Sequence, residues 1–434
     1  MFKTLAKIWH AKDLRNKILF TAFVVICFRF LGHITIPGIN TEALKESFAQ
    51  KNNILGVFSA FTGGSIDNFS IMLLGLSPYI NASIIIQLMT VISPRMASWK
   101  EDGEEGHRKM NKWTRYLTIP LAFVQSYGMI LIINNSTNNA LITDIYNPSI
   151  ILPMMVIATA GTVLAMWLGE LISEKGISNG VSILIFVGII SNIPQVIGSQ
   201  LGVARLNPEA IWPFLILAVL TIALTIFVIL VTEGLRHIPI TYAGRRTASG
   251  EQASIPIRIN QAGMIPIIFA VSMVTFPSIL AKFLVNSPNE TVRNISEFVT
   301  ANFSSNTPNW LYITLFFLLT IFFTFFYVSV TFQPEQIAES IQKRGGFIPG
   351  IRPGRHTAEY LQKVSSRLNL WGGLFIGFVA VLPMILNKFF SQLGLGTVQL
   401  LISGAGIIII VGVALELFRQ VNSNLAMHDY EKLY

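Results

Sequence analysis

The polar side chains set within apolar sequence are where any chemistry of this chain has to be sought, and they concentrate between Leu55 and Ile92. In that stretch Leu76, Ile80, Ser83 and Gln87 recur at i, i+4, i+7 and i+11 and so share one helical face, flanked by Ser77 and Asn81. Ser, Asn and Gln at membrane depth are tolerated only against protein or water, so the face points to a cavity inside a helical bundle. Bond-making chemistry has no comparable support. The histidines (His10, His33, His107, His237, His356 and His428) are scattered, and neither an HExxH pattern, a paired carboxylate within a span, nor a GxxxxGK phosphate loop occurs. This predicts a chain that is not an enzyme and carries no cofactor or metal. The lone Cys27 excludes an intrachain disulfide. An ion-coupled secondary transporter is the alternative, because it also uses broken helices. Coupling needs ionisable groups near the midplane, whereas Arg29, Glu170 and Glu416 are the only charges in or beside apolar windows, and all lie off-centre.

The elements that must position this face are membrane spans. Of 434 residues, 52% are hydrophobic and 12% charged, the mean hydropathy is +0.59, and soluble chains usually carry about 25% charged residues. Apolar windows predict ten spans, at about 18–36, 72–92, 114–133, 150–171, 181–197, 212–232, 263–284, 310–331, 370–387 and 398–418. The basic residues before the first window, with an apolar run long enough to span, predict no cleavable signal peptide. An even number of spans puts both termini on one side. Of the 31 lysines and arginines, 24 fall on that side and 6 on the other, which makes it cytoplasmic.

The segment before the second span is expected to dip into the membrane and return, because Gly63 and Gly64 break a short apolar piece (Val57, Phe58, Phe61) and Asp67 and Asn68 follow. Gly75 and Pro78 are then expected in the first turns of the second span. Loop 93–115 reads as a charge-rich connector broken at Gly103 and Gly106, and Ser178 or Asn179 as a helix N-cap. The seventh span is expected to open at Asn260, the eighth to face lipid, and the outer loop 285–309 to be merely polar. Two long loops, 233–262 and 332–369, carry basic tips. The first is rich enough in Thr, Tyr and Ile for partial strand and holds Arg245 and Arg246; the second presents Arg352 and Arg355 on a turn fixed by Pro349, Gly350, Pro353 and Gly354.

Five ordered stretches resemble the SecY/Sec61-alpha family, the central subunit of protein-translocation channels: RNKILFTAFVVICFRFLGHITIPGIN (15–40), PYINASIIIQLMTV (78–91), MWLGELISEKGISNGVSILIFVGI (166–189), INQAGMIPIIFA (259–270) and FIPGIRPGRHTAEYLQKV (347–364). The resemblance implies an all-α membrane protein of ten transmembrane helices in two pseudo-symmetric halves, 1–197 and 198–434, that passes unfolded secretory chains and releases apolar segments sideways into lipid. It also implies a plug at about Leu55 to Ser70, including Phe58, Phe61, Gly63, Gly64, Asp67 and Asn68. A pore ring of Leu76, Ile80, Ile185, Ile268 and Ile409 follows from the same likeness, as does a lateral gate near Asn81, Gln87 and Asn260. Docking is implied at Arg352 and Arg355, and at Arg245 and Arg246, although the loop between Tyr242 and Asn260 is shorter than the bacterial pattern. The partners implied are the small membrane subunits SecE and SecG, the SecA motor ATPase, the ribosome, signal peptides and nascent chains, and membrane lipid. The place implied is the bacterial cytoplasmic membrane.

Overall fold

A computed structural model describes residues 10–39, 69–136, 142, 147–206, 211–242, 253–284, 289–303, 309–392 and 402–431. Among them, in chain order, are α1 (Lys12–Leu31), α2 (Ser77–Ile92), α3 (Pro94–Glu101), α4 (Gly103–Ser136), α5 (Pro148–Lys175), α6 (Gly180–Leu206) and α7 (Ile211–Glu233). The strands β1 (Leu235–Tyr242) and β2 (Ala253–Arg258) follow, then α8 (Ile265–Leu284), α9 (Glu290–Asn302), α10 (Trp310–Thr331), α11 (Pro334–Lys343), β3 (Gly346–Phe347), α12 (Arg355–Gln392) and α13 (Gly404–Glu431). Each of the ten apolar windows coincides with a helix. Among the described residues seven helices are long and apolar enough to cross a membrane, and α2 and the first part of α8 are shorter apolar helices.

The chain forms two compact units, one of residues 1–214, 272–312 and 412–434 and one of residues 215–271 and 313–411. The first is built on close backbone approaches. A Cβ on Gly161 of α5 would fall 1.9 Å from the carbonyl oxygen of Ile71, and one on Gly180 of α6 equally close to that of Gly169. Around the first contact a core gathers Ile36, Phe69, Leu73, Ala122, Ile130, Ile133, Met154 and Ala158. The charge-rich connector proves largely helical: α3 and α4 meet at Gly103, whose φ is +62°, and Gly106 lies inside α4 rather than ending it, against the backbone of Trp99.

In the second unit α10 does not face lipid all round. Phe316, Thr320, Phe323 and Thr324 are buried, because α12 offers Gly373 opposite Thr324 and Gly377 opposite Phe317. Four threonine hydroxyls in the spans are satisfied within their own helix: Thr320 donates to the Phe316 carbonyl, Thr324 to that of Thr320, Thr221 to that of Leu217 and, in the first unit, Thr159 to that of Met155, each at 2.7 Å. The expected strand character of 233–262 appears as an antiparallel hairpin that pairs Ile238 with Ile255, with β3 added on the other edge of β1.

Outer loop 285–309 is not merely polar. It contains α9, capped by the Asn289 carboxamide, which accepts from the Thr291 amide at 3.2 Å, with Glu290 favourably placed in the first turn. Its few apolar residues escaped notice because they are spaced three and four apart in a segment of low mean hydropathy.

The backbone contact at Gly161 leaves no flexible atom to yield. Gly161→Ala is therefore expected to cost about 1–3 kcal/mol, as for overpacking. The readout is a lower midpoint for unfolding in detergent, whereas Gly198→Ala, with open space at its Cβ, does not lower it.

Candidate functional site

A helix that starts inside a membrane has to satisfy its first amides, and the approach to α2 does so by turns. The amide of Ile36 donates to the Phe69 carbonyl at 3.0 Å and that of Ile71 to the Ile34 carbonyl at 2.9 Å, which makes an antiparallel bridge between Thr35 and Ser70. The Ser70 Oγ then accepts from the Met72 amide. Amides of Leu73, Gly75 and Ser77 donate to carbonyls of Ser70, Met72 and Leu74. Phe69, at φ +46°, and Gly75, at φ +53°, supply the reversals. Helix α2 therefore begins at Ser77, later than the apolar window, with Pro78 in its first turn where a missing donor costs least.

On α2 the predicted face is intact. Leu76 is buried at its start, and Ile80, Asn81, Ser83 and Gln87 are half-buried. The Gln87 Nε2 donates to the Ser83 Oγ at 3.2 Å, so the two polar residues of the face satisfy each other in part. In the same unit Ile185 is buried on α6, whose start is capped as expected: the Asn179 Oδ1 accepts from the Ser182 amide. In the second unit Ile268 is half-buried on α8, and Ile409 on α13 is 0% exposed. Gly404 allows that packing, since a Cβ there would lie 2.1 Å from the Val379 carbonyl oxygen. Phe58, Phe61, Gly63, Gly64, Asp67, Asn68, Arg245 and Arg246 lie outside the described residues.

Asn260 is placed differently from its expectation. Helix α8 opens at Ile265, not Asn260, because the Asn260 Oδ1 accepts from the amide of Gly263 at 2.9 Å and holds a turn in which Gly263 has φ +66°. Next to it the Gln261 Oε1 accepts from the Ser365 Oγ at 2.9 Å. The Asn369 Nδ2 reaches the same hydroxyl at 3.4 Å, while Gln261 Nε2 and Asn369 Oδ1 are buried without partners. Sequence reasoning missed this buried cluster at the heads of α8 and α12. The available signal was Ser365 and Asn369, four residues apart at the edge of an apolar window.

The basic turn of 343–357 sits on a core of its own. Ile238, Ile240, Ile257, Ile341, Ile348 and Leu361 form it, with Tyr242, Ile351 and Tyr360 packed around. Gly350 and Gly354 take φ of +81° and +91°, and the Thr357 Oγ1 donates to the Arg352 carbonyl at 3.0 Å. Arg352 is exposed on this turn, and the Arg355 Nε donates to Glu359 at 3.2 Å. On α11 the Lys343 ammonium, 2.8 Å from Glu339, holds that exposed carboxyl below its usual range by hydrogen bond and charge. Near the spans, Arg115 of α4 donates to Glu170, close to the end of α5, at 2.6 Å. Among the described residues no group of three or more His, Cys, Asp or Glu is placed to hold a metal ion.

Apolar helices, one with a broken, polar-faced entry, and a compact basic platform formed by the loops fit a membrane channel. Known proteins agree. The family model described as SecY matches residues 70–418. Protein translocase subunit SecY of Vibrio cholerae serotype O1 is 37% identical over 427 residues, covering 97% of this chain and 94% of that one. The same subunit of Mycobacterium bovis is 39% identical over 440 residues, covering 96% of each. Among solved structures, a protein-conducting channel aligns with TM-score 0.66 at 17% identity, over 94% of this chain and 92% of that one. Sec61 in the canine ribosome–channel complex from the endoplasmic reticulum gives TM-score 0.63 at 18% identity, with the same coverage. The chain belongs to the SecY family. It is an all-α, multi-pass membrane protein with the fold of a protein-conducting channel and, by its family, a channel-forming subunit of a protein translocase.

The platform core predicts a local effect. Ile348→Ala is expected to cost about 2–5 kcal/mol, seen as faster hydrogen exchange across residues 346–360 while α4 and α5 are unchanged.

Proposed function

We propose that Leu76, Ile80, Ile185, Ile268 and Ile409 form an aliphatic collar around the path of the translocating polypeptide, contributed by two halves, 1–197 and 198–434. A narrow apolar constriction dewets and so holds back ions, yet it binds no polar group strongly and yields to a chain of any sequence. The segment from about Leu55 to Ser70 closes the collar at rest. Its return point is well suited to that task, since Phe69 and Ser70 are buried and bridged to residues 34–36.

Asn81, Gln87 and Asn260 lie at the seam through which apolar segments leave. A segment sampling lipid there gains about 0.3–0.6 kcal/mol for a central Leu or Ile and loses about 2.5–3.5 for a central Lys, Arg or Asp, which sorts membrane spans from secreted sequence. Arg352 and Arg355, with Arg245 and Arg246, receive the motor or the ribosome. The exposed, structurally fixed position of Arg352 supports this, as does the ribosome-bound state of the similar canine channel; basic tips suit RNA phosphates. SecE, SecG and SecA are the expected protein partners. The expected place is the bacterial cytoplasmic membrane with both termini inside, and the chain itself is expected to catalyse nothing, the energy coming from the partner.

The observation that carries this reading is the entry to α2, where turns inside the membrane zone lead into a helix with a half-buried Ile80–Ser83–Gln87 face. With Cys27 replaced by Ser, cysteines at Ile80 and Ile268 should each crosslink to a stalled secretory chain in reconstituted vesicles; crosslinks at neither position, with a lipid-facing control labelled equally, would remove the collar. Arg352→Glu should reduce motor-driven export by at least an order of magnitude with normal membrane insertion of the channel, and full export by this variant counts against the docking role.

A further inference from the structure

The connection between α8 and α10 holds a helix whose apolar arc is wider than the protein covers. In α9, Ser296 is buried and its Oγ donates to the carbonyl of Ala281 near the end of α8, with Val292 and Val299 half-buried on the same side. A helical turn of about 100° per residue puts Ile295 and Phe298 on the flank of that apolar arc. They are 60% and 61% exposed. The opposite flank is charged: it holds Glu290, Arg293 and Glu297, the last two 3.7 Å apart.

The middle and the C-terminal end of α9 are tied to the neighbouring membrane helices. Besides the Ser296 bond to α8, the Asn309 Nδ2 donates to the Asn302 Oδ1 at 2.9 Å, just before α10 begins at Trp310. These two bonds hold α9 at the level at which α8 ends and α10 begins. At that level Leu284, Trp310 and Leu311 are also exposed, and an exposed Trp at the end of a span marks the membrane–water boundary.

We propose that α9 is an interfacial helix: Ile295 and Phe298 insert into the lipid surface beside the ends of α8 and α10, while Glu290, Arg293 and Glu297 face water. The occupant of the exposed arc is lipid, not a second protein. Its chemistry is unspecific apolar contact, because the polar flank carries two carboxylates and one guanidinium and so has no net positive charge with which to select an anionic headgroup. The helix thereby fixes the depth at which the end of α8 sits.

The test uses the assembled translocase in phosphatidylethanolamine–phosphatidylglycerol vesicles, with Cys27→Ser and single substitutions Arg293→Cys, Ile295→Cys and Phe298→Cys carrying nitroxide labels. Collision with oxygen relative to a water-soluble nickel chelate is expected to be several-fold higher at 295 and 298 than at 293. Equal exposure of all three to nickel would put the helix in water, and protection of 295 and 298 from both reagents would put protein on them; either result overturns the proposal. As a readout free of substitution, a diazirine phospholipid photolysed with the unmodified complex should leave adducts within residues 294–302. Adducts confined to the first turn of α10 would refute lipid insertion of α9.

Discussion

The constraint on which the structure depends is that backbone amides and carbonyls at membrane depth have to be satisfied within the protein. Regular helices meet it throughout the spans, so the places that depart from helix are informative. At the entry to α2 the departure is accommodated by a bridge to residues 34–36 and a series of tight turns, closed over by Gly161 at van der Waals limits. That combination lets a helix begin deep in the bundle without leaving polar atoms exposed to lipid. It also fixes where the Ile80–Ser83–Gln87 face starts along the helix.

A different solution holds the second loop system. The hairpin β1–β2, the short β3, α11 and the head of α12 share a small isoleucine-rich core, so the arginines at 352 and 355 are carried by a folded body instead of a mobile tether. A rigid mount loses less entropy on binding than a floppy one. The paired surface charges on α11 and α12, Glu339 with Lys343 and Arg355 with Glu359, are exposed and stabilise little by themselves. The apolar core sets the shape.

Much of this was legible in the residue pattern. Ten apolar windows found ten helices because span length and hydropathy are strong signals, and the Ser83–Gln87 face followed from helical period alone. The fixed turn around Arg352 was readable from Pro349, Gly350, Pro353 and Gly354. What escaped were features set by tertiary contact or by weak local signals. Asn260 looked like the first residue of a span, but its carboxamide closes on Gly263 and postpones the helix to Ile265. Gly106 looked like a break, yet it marks a close crossing with Trp99. The aromatic run of α10 hid the stripe that packs on α12, since residues facing lipid and residues facing protein are equally apolar in a membrane. Helix α9 was overlooked because its polar composition masked its period.

The self-contained hydroxyls of the spans bear on how such a bundle can rearrange. Thr159, Thr221, Thr320 and Thr324 each donate back along their own helix, and no partner across the helix interface is needed to keep them satisfied. Two neighbouring rods joined by dispersion alone can slide or separate, and lipid tails replace the lost contacts nearly one for one. Had the same side chains bonded between rods, every excursion would strand a donor in hydrocarbon. A bundle assembled in this way is held together at its turns and glycine crossings, and its threonine hydroxyls add no bond between one helix and the next.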